Sequence, residues 1–458
     1  MEMNRRDAMK MGALGVAAVA ATGMSGCTGA EAKPAAGSNN GKILGKHKVV
    51  VVGGGFGGLT VANNLMKKNK GLDLLVIEKN DTFMACPVSN TYLGKLEGMN
   101  LGTFVFDYAQ PVEKHGYKML RSEVVAIDRE AKTVTTAHGT VGYDILVLSP
   151  GITYDYEGQF PTWSKEKIAQ VARTAPAALI PGSEHVALER QLANMEDGDV
   201  VITVPNGKFR CPPAPFERAS MIAAYMKKED IRGKVIVLNP KAKFAKFGAF
   251  MESWKELYSD RIVYVPNCKV NDVDANAKTI SYSTAATDMN DAANKTIKYE
   301  VLNLIPNNKA NPVVQMASLK TSDDAFHKVL MNGCSFQSAT DNDVYAVGDV
   351  VAHAIPPSGQ TAVWAGKQCA DEITARLAGK SHTLAVKSAP VKAGNVCYSM
   401  VGDRPEEGIM VIHDFSWTGK VIKGKGHVPK AASGKFRSKG TAKALRDWYS
   451  GIMADLFA

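Results

Sequence analysis

The pattern of apolar and polar positions alternates between two periods along most of the chain. Short runs of β-branched and aliphatic residues, such as Val49–Val52 and Val200–Val204, are each followed by a turn and then by apolar residues at helical spacing. A short run that is apolar at every position predicts a strand covered on both faces, and alternation of such strands with helices predicts parallel sheets. We therefore expect an α/β fold, with helices at about Glu217–Lys228 and about Thr361–Leu377, the second ending at Gly379.

At 458 residues the chain is too long for one hydrophobic core, so two or three domains are expected. The strand runs and turns predict a terminal segment, residues 1–32, followed by two Rossmann-like domains and a C-terminal α+β interface domain. The first Rossmann-like domain is predicted in two parts, residues 45–164 and 301–380, and the second occupies residues 165–300 between them. The interface domain is predicted over residues 381–458.

Residues 1–32 have the composition of an export signal. Arg5 and Arg6 precede an uncharged stretch of small and apolar residues that is short for a membrane-spanning helix. The paired arginines favour the twin-arginine route, and cleavage after Ala32 would release a soluble periplasmic protein. Cleavage before Cys27 is the alternative and would leave a lipid anchor.

The net charge and the cysteine spacing limit which partners and which metal or haem sites are expected. The formal net charge of +10 at pH 7 implies anionic partners or substrates, or a membrane face, although a solvated surface has the same composition. The seven cysteines include no Cys-x-x-Cys or Cys-x-x-Cys-His pattern, which argues against a zinc ribbon and against haem attached covalently to this chain. Cys268, Cys334 and Cys369 are taken as structural, and at least one of these three thiols should be free.

A glycine-rich loop follows the first strand, in the stretch HKVVVVGGGFGGLTVANNLMKK. Gly53, Gly55 and Gly58 have the Gly-x-Gly-x-x-Gly spacing, which allows a tight turn, close approach of a pyrophosphate, and packing of a helix on the strand. The next strand ends at Glu78 and Lys79, and a carboxylate at that position accepts hydrogen bonds from a ribose. These residues predict a dinucleotide site.

Two later strands select FAD as the dinucleotide. The stretch YDILVLSPG ends at Gly151, and the stretch DNDVYAVGDV brings Gly348 and Asp349 to the end of another strand, where a carboxylate can bind a ribityl hydroxyl. In this order the segments resemble the glutathione-reductase-like flavoproteins. If the helix predicted after them directs its N-terminus at the isoalloxazine ring, its dipole would stabilise negative charge there.

The second Rossmann-like domain lacks the corresponding nucleotide loop. Its first strand leads into PNGKFRCPPAP, in which prolines remove backbone donors, and its second strand ends at Asn239 instead of at an acidic residue. A nicotinamide coenzyme is therefore not expected, and Cys211 becomes the candidate entry point for electrons. Arg210 and a helix N-terminus favour a lowered thiol pKa, with Glu217 as a candidate proton carrier. A buried structural cysteine is the alternative that these residues leave open.

Five segments resemble the flavoprotein subunit of flavocytochrome c sulfide dehydrogenase, a relative of sulfide:quinone oxidoreductase. They are FRCPPAPFERAS, ACPVSN, VLNLIP, GDV and CYS, and the resemblance extends over essentially the whole chain. It implies a redox-active disulfide between Cys211 and Cys397 that takes electrons from sulfide and passes them to FAD, with Glu217 in acid–base chemistry. It also implies covalent attachment of FAD through Cys86.

The resemblance further implies that a separate c-type cytochrome subunit accepts the electrons. A quinone is the rival acceptor, as in a membrane-associated sulfide:quinone oxidoreductase, and a non-catalytic flavoprotein acting as a sulfur-carrier partner is a third alternative. An apolar stripe on the last predicted helix fits docking on the protein body, which we favour, or an interfacial membrane helix. The stripe consists of Leu445, Trp448, Tyr449, Ile452, Met453, Leu456 and Phe457.

Overall fold

The computed structural model describes residues 42–285, 292–380 and 394–458. The export signal predicted over residues 1–32, with Arg5, Arg6 and Cys27, lies outside the described residues. The described part is a mixed α/β structure with two mostly or wholly parallel sheets and a separate antiparallel sheet near its C-terminal end, as the sequence predicts.

The larger parallel sheet contains seven strands around the first strand of the structure, Ile43–Val52. Val49–Val52 pair on both sides, with Leu74–Ile77 and with Ile145–Leu148, and all three segments are buried because helices or further chain cover both faces. The strand order is Lys118–Arg121, Leu74–Glu78, Ile43–Val52, Gly139–Leu148, Thr133–Thr136 and Val124–Asp128, and Val344–Ala346 also pairs with Gly139–Leu148.

The smaller parallel sheet has four strands, in the order Ile262–Val265, Val235–Leu238, Val200–Thr203 and Val301–Asn303. Each neighbouring pair is parallel, which is the pattern expected of a second Rossmann-like unit. Because Val301–Asn303 pairs with Val200–Ile202, this sheet extends past the boundary predicted at residue 300.

The last described segment forms the predicted α+β unit. The strands Gly394–Asp403, Glu406–Trp417 and Ile422–His427 make an antiparallel sheet, and the helix Lys439–Phe457 follows them. Ser438 caps this helix by accepting a hydrogen bond from the Thr441 amide at 3.0 Å.

Smaller elements connect these units. The other strands are Cys268–Asp274, Thr279–Thr284 and Ala293–Lys298 in one antiparallel sheet, Ile152–Tyr154 with Asn308–Ala310, and Thr82–Met84 with Val105–Asp107. The other helices are Phe56–Lys68, Asn90–Leu93, Ala109–His115, Tyr156–Gln159, Lys165–Thr174, Ser183–Ala193, Ala214–Lys228, Phe247–Leu257, Val313–Met316 and Gly359–Leu377, with 3-10 turns at Leu101–Thr103 and Gly348–Val350.

The two helices whose residue ranges are predicted from the sequence both begin earlier than the periodicity of their apolar residues indicates. The helix expected from about Glu217 begins at Ala214, because Pro215 lies in the first turn, where a missing N–H costs no helical hydrogen bond. The helix expected from about Thr361 begins at Gly359, after the capping residue Ser358. It ends before Gly379, whose φ of 68° marks the expected stop.

The C-terminal helix is docked on the protein body, as favoured from the sequence. Phe457 stacks on Phe106 with ring centroids 4.8 Å apart, and the Tyr449 hydroxyl donates to the Thr103 carbonyl at 2.7 Å. Every residue of the predicted stripe except Trp448 is buried, so the apolar face is used within the fold. Among the residues that the structure describes, no helix is long and apolar enough to span a bilayer.

Candidate active site

A cavity of about 740 Å³ runs along the carboxyl ends of the larger sheet's strands. This is where nucleotides bind in open α/β sheets. Eight of the nine residues predicted to bind the cofactor line it, namely Gly53, Gly55, Glu78, Lys79, Cys86, Gly151, Gly348 and Asp349.

The glycine-rich loop at one wall of this cavity cannot accommodate side chains at two positions. Gly53 has a φ of 103°, and a Cβ there would lie 2.3 Å from the Ser149 carbonyl oxygen. Gly58 does not line the cavity, but a Cβ on it would lie 1.8 Å from the Gly53 carbonyl oxygen, so it packs the helix on the loop as predicted. A Cβ on Gly55 would meet no protein atom within 4 Å, which leaves that side open to a ligand.

The helix that begins at Phe56 presents its N-terminus to the same wall. Its capping residue, Gly55, has no side chain to accept a hydrogen bond, and its first turn contains no acidic residue. The first-turn N–H groups therefore keep their capacity to bind a pyrophosphate. The Glu78 carboxylate is held at the end of its strand by the Gly54 and Asn80 amides, at 2.6 and 2.9 Å. This set of donors and one fixed carboxylate fits the diphosphate and ribose of FAD.

The other end of the cavity has the charges expected near a flavin. Arg210 donates from Nε to the Asp349 carboxylate at 2.6 Å, so the predicted ribityl ligand forms an ion pair with the residue that precedes Cys211. Ser358 and Gly359, at the N-terminus of the 19-residue helix Gly359–Leu377, also line the cavity. The positive end of that helix dipole is thus directed into this part of the site.

A second, smaller cavity brings together three cysteines from distant parts of the chain. Cys86, Cys211 and Cys397 all line it, and the predicted acid–base residue Glu217 lines it as well. Cys86 and Cys211 also line the larger cavity, whereas Cys397 lines only the smaller one. The structure therefore groups all three residues predicted to be catalytic, and it places Cys211 between the cofactor cavity and Cys397.

The backbone at Cys211 is held in an unusual conformation. Its φ is 51°, in the left-handed region that residues other than glycine rarely occupy. The Cys211 amide donates to the Pro357 carbonyl at 2.8 Å, which ties the cysteine to the segment just before the helix Gly359–Leu377. A side chain held this way has little freedom to leave the junction between the two cavities.

The lowered thiol pKa expected for Cys211 is wrong. Burial raises the pKa of Cys211 well above its ordinary value, and the neighbouring cysteines and Glu217 also oppose a thiolate there, while Lys246 acts in the opposite direction. Burial also raises the pKa of Cys86 and of Cys397. The helix N-terminus predicted to stabilise a thiolate is outweighed because removal of the thiol from water is the larger effect.

Glu217 is fixed by two hydrogen bonds at the wall of the smaller cavity. Its carboxylate accepts from the Asn90 side chain at 2.6 Å and from the Met400 amide at 2.7 Å. Burial raises the pKa of Glu217, and these two hydrogen bonds act in the opposite direction. A carboxyl group whose pKa is raised keeps its proton to higher pH than an exposed glutamate does, which suits it to acid–base chemistry.

Sequence reasoning did not identify Lys246, which contacts Cys397. Its ammonium donates to the Ser399 hydroxyl at 2.7 Å and to the Cys397 carbonyl at 3.0 Å, and it lies 3.9 Å from the Cys397 sulfur. The available signal was a lysine in the otherwise apolar, phenylalanine-rich stretch FAKFGAF. Lysine at such a position is ordinarily solvated, and nothing in the local pattern indicates its burial.

The three cysteines of the described chain that lie outside this site are buried in the cores. Cys268, Cys334 and Cys369 are 3%, 4% and 0% exposed, which agrees with the structural role assigned to them.

Three parts of the chain match the models of known protein families. The model described as pyridine nucleotide-disulphide oxidoreductase matches residues 47–178. The model for the central part of the sulfide dehydrogenase (flavocytochrome c) flavoprotein chain matches residues 185–306, and that for the flavin-binding part of flavocytochrome c sulphide dehydrogenase matches residues 389–457. Fold, cavity and family models together define an FAD-dependent oxidoreductase.

Within that class, the chain is similar to sulfide-oxidising enzymes. Sulfide-quinone reductase of Aquifex aeolicus is 28% identical over 337 residues, which cover 70% of this chain and 72% of the relative. The mitochondrial sulfide:quinone oxidoreductase of Dictyostelium discoideum is 26% identical, covering 67% of this chain and 66% of the relative. The chain is thus an FAD-dependent oxidoreductase that is similar to sulfide dehydrogenase flavoproteins and to sulfide:quinone oxidoreductases.

Solved structures agree on the fold. The sulfide:quinone oxidoreductase from Aquifex aeolicus superposes with a TM-score of 0.66 at 20% identity, over 90% of this chain and 91% of that chain. A NAD-dependent persulfide reductase from A. fulgidus gives a TM-score of 0.59 at 17% identity, over 89% of this chain and 77% of that chain. At these identities the likeness concerns the fold.

The glycine-rich loop gives a direct test of the cofactor site. Gly58→Ala should lose both bound flavin and thermal stability, because the new methyl group collides with the Gly53 carbonyl. Gly55→Ala should keep its thermal stability, because the new methyl group contacts no protein atom within 4 Å. It should bind FAD more weakly, because the methyl group occupies space that the cofactor needs. Flavin-to-protein ratios and melting temperatures measure the two effects, with Gly451→Ala as the control. A Gly58→Ala protein with normal flavin content would contradict this assignment.

Proposed function

We propose that the chain is the flavoprotein of a periplasmic sulfide dehydrogenase that oxidises sulfide through a Cys211–Cys397 disulfide and delivers the electrons, through FAD, to a c-type cytochrome subunit. The observation that carries the proposal is the shared cavity, in which Cys211, Cys397 and Glu217 meet beside the cofactor cavity. Thiol–disulfide chemistry needs two sulfurs that can reach each other, and a cofactor that reoxidises them must adjoin one of the two.

The position of each sulfur suggests its part in the reaction. Cys397 lines only the smaller cavity, so it is the sulfur that hydrosulfide reaches from that side. Attack on Cys397 forms a persulfide there and breaks the disulfide, leaving its electron pair on Cys211 as a thiolate. Cys211 lines the cofactor cavity as well, so the reduced sulfur is the one nearest the cofactor. Bound FAD supplies the two-electron oxidant that the dithiol chemistry requires.

Glu217 serves the same reaction as an acid–base residue. Its carboxyl group lines the cavity with both sulfurs, and its raised pKa makes it a stronger base than an exposed glutamate. It would take the proton that hydrosulfide brings when the new sulfur–sulfur bond forms. The hydrogen bonds from Asn90 and Met400 keep it in place during the transfer.

The choice of a cytochrome acceptor rests on three kinds of support. Two of the three family models are those of flavocytochrome c, and they include the segments that carry Cys211 and Cys397. The apolar stripe of the C-terminal helix is buried against the body, so it does not offer the membrane surface that a quinone-linked enzyme would need there. The twin-arginine motif at Arg5 and Arg6 supports a periplasmic location, where c-type cytochromes are accessible.

A quinone acceptor is the second candidate function, because the curated relatives named above are sulfide:quinone oxidoreductases. The proposals share the cysteine chemistry and differ only in where the electrons leave.

The first prediction from the proposed function concerns the sulfur pair. Cys211→Ser and Cys397→Ser should each reduce sulfide oxidation to background, because neither single thiol can form the disulfide, while FAD stays bound. Cys268→Ser is the matched control, since that buried cysteine lies in a different core and should tolerate a hydroxyl. Turnover with saturating acceptor and the flavin spectrum are the measurements. Unchanged turnover in both active-site variants would favour a non-catalytic sulfur-carrier role.

The second prediction concerns attachment of FAD. Cys86 lines the cofactor cavity, so we expect a thioether from its sulfur to the flavin. Flavin should then remain with the protein after acid precipitation, and Cys86→Ala should release it into the supernatant. Complete release from the unmutated protein would contradict the covalent bond without touching the rest of the proposal.

The third prediction separates the two acceptors. Sulfide-dependent reduction of a soluble c-type cytochrome should exceed reduction of a short-chain quinone under the same conditions, in the absence of detergent and lipid. Both assays use the same flavin-loaded protein and are followed by absorbance of the acceptor. Activity with quinone alone would contradict the cytochrome assignment and support the second candidate function.

A further inference from the structure

Lys246 is a buried cation with an unusual set of partners. Its side chain is enclosed by the fold, the residue being 5% exposed. Within the described part of the chain, its ammonium contacts the Ser399 hydroxyl, the Cys397 carbonyl and the Cys397 sulfur, and it lies over the ring of Phe250. Among the described residues, Glu217 is the carboxylate whose charge acts on Cys397, and its oxygens are engaged by Asn90 and Met400. In the described structure the ammonium of Lys246 is therefore placed next to a sulfur and not in a salt bridge with a carboxylate.

The position of Lys246 is also costly for the backbone. Its φ is 62°, a left-handed conformation, and the helix Phe247–Leu257 begins at the next residue. A buried charge and a strained backbone each destabilise a fold, and such costs are found where a residue is needed for function. The strained backbone and the buried charge serve one contact, because they bring the ammonium to the strand residues Cys397 and Ser399.

We propose that Lys246 stabilises negative charge on the Cys397 sulfur, both on its thiolate and on the perthiolate that attack by hydrosulfide leaves there. This inference rests on the proposed function and adds a positioning residue to it. When hydrosulfide attacks, a new sulfur–sulfur bond forms at Cys397, the bond to Cys211 breaks with its electron pair on Cys211, and Glu217 takes the proton. The terminal sulfur on Cys397 is then anionic, and Lys246 is the cation beside it.

Other ionisable groups near Cys397 also influence the pKa of its thiol. Burial raises the pKa of Cys397, Lys246 lowers it, and Glu217 raises it. Cys211 adds a second ionisable sulfur, and the buried Arg218 contributes positive charge from the helix that also carries Glu217. His413, on the neighbouring strand, has a pKa lowered by burial, so it is neutral at pH 7. Lys246 is the cation among them that contacts the Cys397 sulfur.

The test measures the ionisation of Cys397 directly. In the flavin-loaded, reduced protein with Cys211→Ser, the rate of Cys397 alkylation by iodoacetamide is followed against pH by mass spectrometry of its peptide. Lys246→Gln keeps hydrogen-bond donors but removes the charge, and it should raise the Cys397 pKa by about one unit or more, which slows alkylation about tenfold at a fixed pH below both values. Lys246→Arg keeps the charge and should titrate close to the parent.

Lys241→Gln is the matched control. Lys241 lies in the same segment, and its ammonium donates to the Gly207 carbonyl, away from the cysteines. Its replacement should leave the Cys397 titration unchanged. An unshifted Cys397 pKa in Lys246→Gln, or an equal shift in Lys246→Arg, would overturn the proposal.

A second measurement needs no change at Lys246 and covers the case in which its variants do not fold. Cys397 is titrated in Cys211→Ser protein and Cys211 in Cys397→Ser protein, both with Lys246 in place. Both cysteines are half-buried, but the ammonium contacts only Cys397 in the described structure, so Cys397 should have the lower pKa. An equal or reversed order would overturn the proposal. Neither titration uses sulfide, so the proposed function is judged separately by turnover of the cysteine variants.

Discussion

The site depends on one buried cation, the guanidinium of Arg218. It is 1% exposed and donates to the Asn90 side chain, the Asn303 side chain and the carbonyls of Ala177 and Ala178. A buried charge is tolerated only when its donors are satisfied, and removing its partners is strongly destabilising. The network therefore holds the helix Ala214–Lys228 in one position, and with it Glu217 inside the helix and Cys211 just before it.

The same network explains why several sequence motifs belong together. Asn90 comes from the ACPVSN segment, Asn303 from VLNLIP, and Arg218 from FRCPPAPFERAS, and the three meet through hydrogen bonds. Asn90 also donates to Glu217, whose other oxygen accepts from Met400, next to the CYS segment. Segments far apart in the chain thus share one set of buried polar contacts, which fixes the distance between the two sulfurs and the cofactor cavity.

Burial gives this site its chemical character. It disfavours a thiolate at each of the three cysteines, so a reactive anion has to be stabilised by a specific charge instead of by solvent. Arg210 opposes this effect at Cys86, and Lys246 opposes it at Cys397. The smaller cavity is enclosed by segments from several distant parts of the chain. The docked C-terminal helix contributes to that enclosure, since Leu445 and Trp448 line the smaller cavity.

The sequence by itself determined the parallel α/β architecture and the glycine-rich loop, because these follow from local periodicity and from motifs of fixed spacing. It also singled out in advance the cysteines and the glutamate that line the two cavities. Gly53, Gly58 and Glu78 act within one strand–turn–helix unit, so their roles could be inferred without tertiary contacts. Only the tertiary structure decided the thiol pKa values, the docking of the last helix, and the place of Lys246. Each of these depends on which distant segments exclude water from a group, and burial of that kind leaves no signature in local sequence.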